Sequence, residues 1–206
     1  MAAATPLFPL LALSRLRMES DGAGVTTLVA GAGCPLGCKY CINARLLKEK
    51  RPEWIAPAEL LRRTRIDNLY FQATGGGLCF GGGEALLHAD FIAAFRALIG
   101  SAWKLTAETA LCVPPEALET AMETLDAFIV DVKTADPEIY RRYTGKSNEL
   151  ALQNLKTLLS RIPPDRVKVR VPLVPGYNDE ADREKTVALL KTLGAADIDL
   201  FTYQTP

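Results

Sequence analysis

Cys34, Cys38 and Cys41 fall within one short run, Cys34-Pro35-Leu36-Gly37-Cys38-Lys39-Tyr40-Cys41. Thiols this dense in one loop point to a metal. A closed zinc site takes four ligands, and so does an ordinary iron–sulfur cluster. Only three are present locally, so a cubane held here keeps one iron open for a substrate, which implies chemistry at the metal. Other readings exist for the same residues. The thiols could be buried packing groups. A disulfide framework is disfavoured by the odd total of five cysteines and the absence of a secretory signal. A zinc site would need Cys79, Cys112 or His88 as its fourth ligand.

Other residues could serve the same chemistry. In Gly81-Gly82-Gly83-Glu84 the glycines let backbone approach a small polar ligand, whereas Gly75-Gly76-Gly77 reads as a flexible turn. Neither run matches a dinucleotide fingerprint, and no phosphate-loop lysine pattern is present. Asp131 and Lys133 alternate around Val132, so both face one side of a strand, where the lysine could hold a carboxylate. Glu108-Thr109 closes the preceding strand. Arg170 sits between Val169 and Val171, an expensive place for a guanidinium without an acidic partner or a ligand carboxylate. His88 reads as flanking a helix, and Cys79 and Cys112 read as buried thiols.

These groups need a scaffold. Strand-like runs at Val25–Ala30, Gly77–Phe80, Leu105–Ala107, Phe128–Val132, Val167–Val174 and Ile198–Tyr203 alternate with helical patterns. The helical stretches are Ala58–Arg65, Phe91–Ile99, a helix opened by Pro115, one marked by Leu152, Leu155 and Leu159, and Val187–Leu193. About six βα units imply a parallel sheet covered by helices, and a complete eight-fold barrel needs about 250 residues. At 206 residues the expectation is an α/β fold: an incomplete TIM-type barrel, one domain over 1–206, with chemistry at the C-terminal strand ends. Asp67–Ala73 looks like an expression-tag protease site but reads as native chain running into a strand.

Twenty-four basic residues balance twenty-four acidic ones, so no charge excess points to nucleic acid. No apolar run approaches the roughly 20 residues needed to cross a bilayer. A cytoplasmic protein with neither nucleic-acid nor membrane partners is expected.

The cysteine spacing followed by Gly81-Gly82-Gly83-Glu84 resembles the radical S-adenosylmethionine superfamily. The likeness tightens to the activating enzymes of glycyl radical enzymes, such as pyruvate formate-lyase activase. Asp21-Gly22-Ala23-Gly24 looks like their Asp-Gly-Pro-Gly motif with Ala23 in place of proline. Cys41-Ile42-Asn43 is similar to their Cys-x-Asn, Asp131-Val132-Lys133 to Asp-x-Lys, Gly145-Lys146-Ser147-Asn148 to Gly-x-Ser-Asn, and Val174-Pro175-Gly176 to Val-Pro-Gly. The likeness runs from about residue 13 onward.

The resemblance implies roles. Cys34, Cys38 and Cys41 would ligate a 4Fe-4S cluster whose open iron takes S-adenosylmethionine. Tyr40 would pack by the adenine, with Gln204 standing where the family has a histidine. Gly82, Gly83 and Glu84 would receive the methionine end, and Lys133 and Arg170 would hold its polar parts. Glu108 (an aspartate in the family), Thr109, the carbonyl of Ile129 and Asp131 would form a monovalent-cation site. Reductive cleavage would yield a 5'-deoxyadenosyl radical that takes hydrogen from a glycine of a partner glycyl radical enzyme. A flavodoxin- or ferredoxin-type protein would donate the electron. The chain is without the ferredoxin insert of some activases and ends at Pro206, before the family's closing helix. A radical enzyme acting on a small molecule or peptide is the nearer alternative. A non-catalytic zinc or iron–sulfur binding protein is the remoter one.

Overall fold

A computed structural model describes residues 5–18 and 20–203. Its frame is an eight-stranded sheet: β1 (Phe8–Met18), β2 (Val25–Gly31), β3 (Glu53–Ile55), β4 (Gly77–Gly82), β5 (Lys104–Thr109), β6 (Ala127–Asp131), β7 (Val167–Leu173) and β8 (Asp197–Thr202). The spatial order is β3-β1-β2-β4-β5-β6-β7-β8. From β2 to β8 all pairs are parallel, and these are the six expected strands. β1 joins β2 antiparallel and β3 joins β1 antiparallel. The sheet is open, with β3 and β8 as its edges, consistent with an incomplete barrel.

Alternation along the strands sorts the two faces. Leu78, Phe80, Leu105, Ala107, Phe128, Val130, Val167, Val169 and Val171 belong to one buried core. Helices α2 (Pro57–Thr64), α4 (Ala89–Ile99), α5 (Pro115–Thr124), α7 (Glu149–Arg161) and α8 (Glu180–Thr192) cover this face; α1 (Ala44–Glu49), α3 (Asn68–Thr74) and α6 (Pro137–Thr144) fill the remaining connections. Phe91 and Phe95 on α4 are fully buried, each worth about 2–3 kcal/mol in apolar area removed from water. Residues of opposite parity, Cys79, Gly81, Thr106, Glu108, Ile129, Asp131 and Arg170, line the concave side.

Local chemistry explains the helix ends. Pro57 and Pro115 occupy first-turn positions, where a missing N–H costs nothing. Asp136 caps α6 by accepting from the Glu138 and Ile139 amides, and Gly145 closes it at φ +79°. Asp179 and Asp182 form a reciprocal cap on α8.

One expectation changes. The Gly75–Gly77 run is not a loose turn. Gly75 caps α3 in the left-handed region. A Cβ on Gly76 would lie 1.9 Å from the Val25 carbonyl oxygen, and one on Gly77 2.1 Å from that of Lys104. Asn68–Thr74, the native segment that runs into β4, is helical, anchored by Asp67, whose buried carboxylate accepts from Arg15 and from the Thr27 hydroxyl at 3.0 Å.

Candidate active site

The three thiols lie just past the C-terminal end of β2, in a segment with neither strand nor helix up to Ala44. Its base is tied from several sides. Ala32 N–H donates to the Pro9 carbonyl at 2.9 Å. The amides of Gly83 and Glu84 donate to the carbonyls of Gly31 and Gly33, at 3.0 and 2.8 Å. His88 Nε2 bonds the Ala32 carbonyl at 3.0 Å. The loop's far side rests on the end of α6: Gly37 N–H donates to Thr144 O at 2.8 Å and Lys39 N–H to Tyr143 O at 3.1 Å. Asn43 Nδ2 donates to the Gly82 carbonyl at 2.8 Å.

The glycine run thus has a local cause. A Cβ on Gly83 would sit 2.0 Å from the Gly33 carbonyl oxygen, and Gly82 has φ +89°. The β4 end must approach the thiol loop backbone to backbone, and only glycine allows it.

Glu84 is buried, and its carboxylate accepts from the Thr109 hydroxyl at 2.5 Å, the Ala110 amide at 2.9 Å and the Leu86 amide at 3.2 Å. Burial raises its pKa against these three donors. Glu84 and Thr109 therefore bind each other and join the ends of β4 and β5. Glu108, one residue earlier, faces the concave side.

There the charges converge. Asp131 and Arg170 are register partners on β6 and β7. Arg170 Nε donates to Asp131 Oδ1 at 2.7 Å, and its Nη1 to Glu108 Oε1 at 3.0 Å. Lys133 Nζ donates to Asp131 Oδ2 at 2.9 Å. Burial works against all four charges. For Asp131 the two cations outweigh it, and the carboxyl titrates below its ordinary range. For Lys133 and Arg170 burial is likewise outweighed by the carboxylates, and both are held more basic than usual. For Glu108 burial wins over Arg170 and the pKa rises. Ile129 stands beside Glu108 in the ladder, and Gly81 packs under it, where a Cβ would lie 3.0 Å from Glu108 Oε2.

Sequence reasoning missed the aromatic wall around the loop. Tyr40 and Tyr143 both pack edge-on against Tyr177, with ring centroids 5.8 and 5.3 Å apart. Tyr177 is presented by the Val-Pro-Gly turn, where Asn178 accepts from the Val174 amide at 2.6 Å and donates to the Pro172 carbonyl at 2.9 Å. Among the described residues the buried hydroxyls of Tyr140 and Tyr143 make no hydrogen bond. The spacing of Tyr140, Tyr143 and Thr144 along one helical face was the available signal. Gln204 lies outside the described residues.

No three His, Cys, Asp or Glu side chains among the described residues already converge as a metal-ion site. All five cysteines are free, with Cys34 exposed, Cys38 and Cys41 half-buried and Cys79 in the barrel interior. Burial pushes the Cys38 thiol up to about 11, against the pull of Lys133, and raises Cys34 as well. Thiols that bind a metal give up their protons as they do so. The donor set still fits an open cluster: three thiols on one tethered loop, two buried hydroxyls with no partner among the described residues on the helix that receives it, and side-chain-free glycine backbone beside it.

A partial βα barrel carrying such a loop after its first parallel strand defines a cluster-dependent enzyme core. The Radical SAM superfamily pattern matches residues 28–190. The (2S)-3-sulfopropanediol sulfolyase activating enzyme of Bilophila wadsworthia is 32% identical over 77% of this chain and 72% of its own length. The indoleacetate decarboxylase activating enzyme of Tractidigestivibacter scatoligenes is 35% identical over 55% of this chain and 36% of its own. Among solved structures, a domain of the pyruvate-formate lyase-activating enzyme from Bacteroides vulgatus superposes with TM-score 0.54 at 28% identity, covering 64% of this chain and 86% of that one. The chain belongs to the Radical SAM superfamily, in its branch of glycyl radical enzyme activating enzymes. A 4Fe-4S cluster and S-adenosylmethionine are that superfamily's cofactors. The chain spans well under two thirds of several of its relatives, 36% of one and 43% of the (2S)-3-sulfopropanediol dehydratase activating enzyme of Klebsiella oxytoca.

Proposed function

We propose that this protein, acting as a single core domain, activates a glycyl radical enzyme by removing a hydrogen atom from a glycine of that partner. The observation that carries the reading is the thiol loop bonded to the glycine end of β4 on one side and to α6 on the other, at the strand ends of the Asp131–Lys133–Arg170 network. Cys34, Cys38 and Cys41 would hold the cluster. When bound, the cluster and S-adenosylmethionine supply the reductive cleavage of a carbon–sulfur bond and the hydrogen abstraction.

The chain's own residues bind, orient and exclude water. Lys133 and Arg170 offer donors to a carboxylate from a site where burial strengthens the attraction. The Gly82–Gly83 backbone would receive an amino group on carbonyl oxygen, that of Gly82 already accepting from Asn43, while Glu84 fixes those glycines by joining β4 to β5. Tyr40, Tyr143 and Tyr177 wall the loop side of the site; Tyr40 would pack by the adenine, with Gln204 following the last strand in sequence. Thr109 is engaged by Glu84, so in the cation reading Glu108, Asp131 and the Ile129 carbonyl provide the oxygens. Arg170 already bridges the two carboxylates and contributes the same charge. Free thiols and a reducible cluster suit the cytoplasm. Among the described residues no helix is long and apolar enough to cross a membrane.

Anaerobic reconstitution followed by dithionite and S-adenosylmethionine tests this reading. Iron and sulfide bound together with release of 5'-deoxyadenosine is the expected result; zinc without iron would contradict it.

A further inference from the structure

The three side chains that a monovalent cation would use at the strand ends already bind other groups of this chain. Arg170 Nε donates to Asp131 Oδ1 at 2.7 Å, and its Nη1 donates to Glu108 Oε1 at 3.0 Å. The guanidinium thus lies between the two carboxylates, in the place a cation would take. Asp131 Oδ2 accepts from Lys133 at 2.9 Å. The Thr109 hydroxyl donates to Glu84 at 2.5 Å and accepts from the Leu111 amide at 2.8 Å.

Charge points the same way. Glu108 and Asp131 are balanced by Lys133 and Arg170, so the group is neutral before any ligand arrives. A metal cation added there would stand beside two cations in a site poor in water, where like charges repel strongly. The identity of residue 108 supplies the reach. Glutamate is one methylene longer than aspartate, and Glu108 extends from β5 across β6 to Arg170 on β7. Gly81 leaves room for it, since a Cβ there would lie 3.0 Å from Glu108 Oε2. Arg170 Nη2 makes no hydrogen bond among the described residues, and the side chain is 22% exposed. A planar guanidinium can therefore hold both carboxylates and still present a donor to the carboxylate of a ligand.

We propose that the Arg170 guanidinium, held between Glu108 and Asp131, takes the place of the monovalent cation, so that this chain binds S-adenosylmethionine without potassium or sodium. The inference rests on the function proposed above and departs from the cation site that the family resemblance implies.

The test is titration calorimetry of S-adenosylmethionine into the anaerobically reconstituted protein in KCl, NaCl or tetramethylammonium chloride at equal ionic strength. Wild-type affinity should agree within about threefold across the three salts. Arg170→Ala should bind at least about tenfold more weakly in tetramethylammonium chloride and regain most of that loss in KCl or NaCl, because the space left between two carboxylates then admits a small cation. Thermal melting of the unloaded proteins reads the same contrast without cluster or ligand. Wild type should melt alike in all three salts, whereas potassium or sodium should raise the melting point of Arg170→Ala by binding only its folded form. Wild-type binding tighter in KCl or NaCl by more than about threefold would overturn the inference. So would an Arg170→Ala variant that binds like wild type, or one whose deficit neither salt relieves. Should that variant fail to fold, the wild-type salt comparison decides alone. Iron-loaded wild type that binds no S-adenosylmethionine in any salt would strike the proposed function instead.

Discussion

Asp131 accepts from Lys133 on one oxygen and from Arg170 on the other, and this fixes what each cation can offer a ligand. Lys133 has further donors to give, whereas Arg170 is divided between two carboxylates. Replacing Lys133 with Ala should weaken S-adenosylmethionine binding by about tenfold, the worth of one charge-assisted bond near 1.4 kcal/mol. Titration calorimetry on the loaded protein reads it, and unchanged affinity with full iron content would argue against the lysine's role. Cys38→Ala should abolish iron retention and reductive cleavage together, measured by iron analysis and 5'-deoxyadenosine release. Glu84→Ala strands three donors at once and should cost about 3 kcal/mol of stability in chemical denaturation. The cysteines were legible because residue type and spacing suffice for them. The structural part of Glu84 was not, because two of its three donors, Thr109 and Ala110, lie at the β5 end and meet it only in space.

Elements set the loop's position. Gly83→Ala would drive a Cβ into the Gly33 carbonyl, and backbone cannot give way as a side chain can. We expect poor cluster retention in that variant, whereas Gly145→Ala, with nothing within 4 Å of its Cβ, should lose only the cost of its left-handed φ, about 1 kcal/mol. His88 pins the same loop base, and burial holds its imidazole below the ordinary value. A depressed histidine contributes stability that is present above its unfolded pKa and lost as pH falls through its folded one. Stability should therefore decline below about pH 6.5. His88→Gln, which keeps a donor for Ala32, should flatten that decline in denaturation curves taken across the range. The parallel strands were legible from their apolar runs. β1 was not read as a strand because Pro9 interrupts its run; β3 is three residues long. α6 went unread because its buried face is made of tyrosines and a threonine.

At the scale of the molecule, the alternation of strand and helix carried the fold: six parallel strands with chemistry at one end. The antiparallel pair β1 and β3 extends that sheet to eight strands, a feature that depends on long-range pairing rather than local pattern. Alignment with the Bilophila wadsworthia relative runs over 222 positions but takes in only 77% of this chain, so that relative has stretches with no counterpart here. On the proposed function, the strand ends of this core position cluster, ligand and partner. Electron paramagnetic resonance tests this most directly, on the anaerobically reconstituted protein mixed with reductant, S-adenosylmethionine and a glycyl radical enzyme encoded in the same genome. The account predicts a glycyl doublet that needs all three loop cysteines. Rapid release of 5'-deoxyadenosine with no protein radical on any such partner would contradict it.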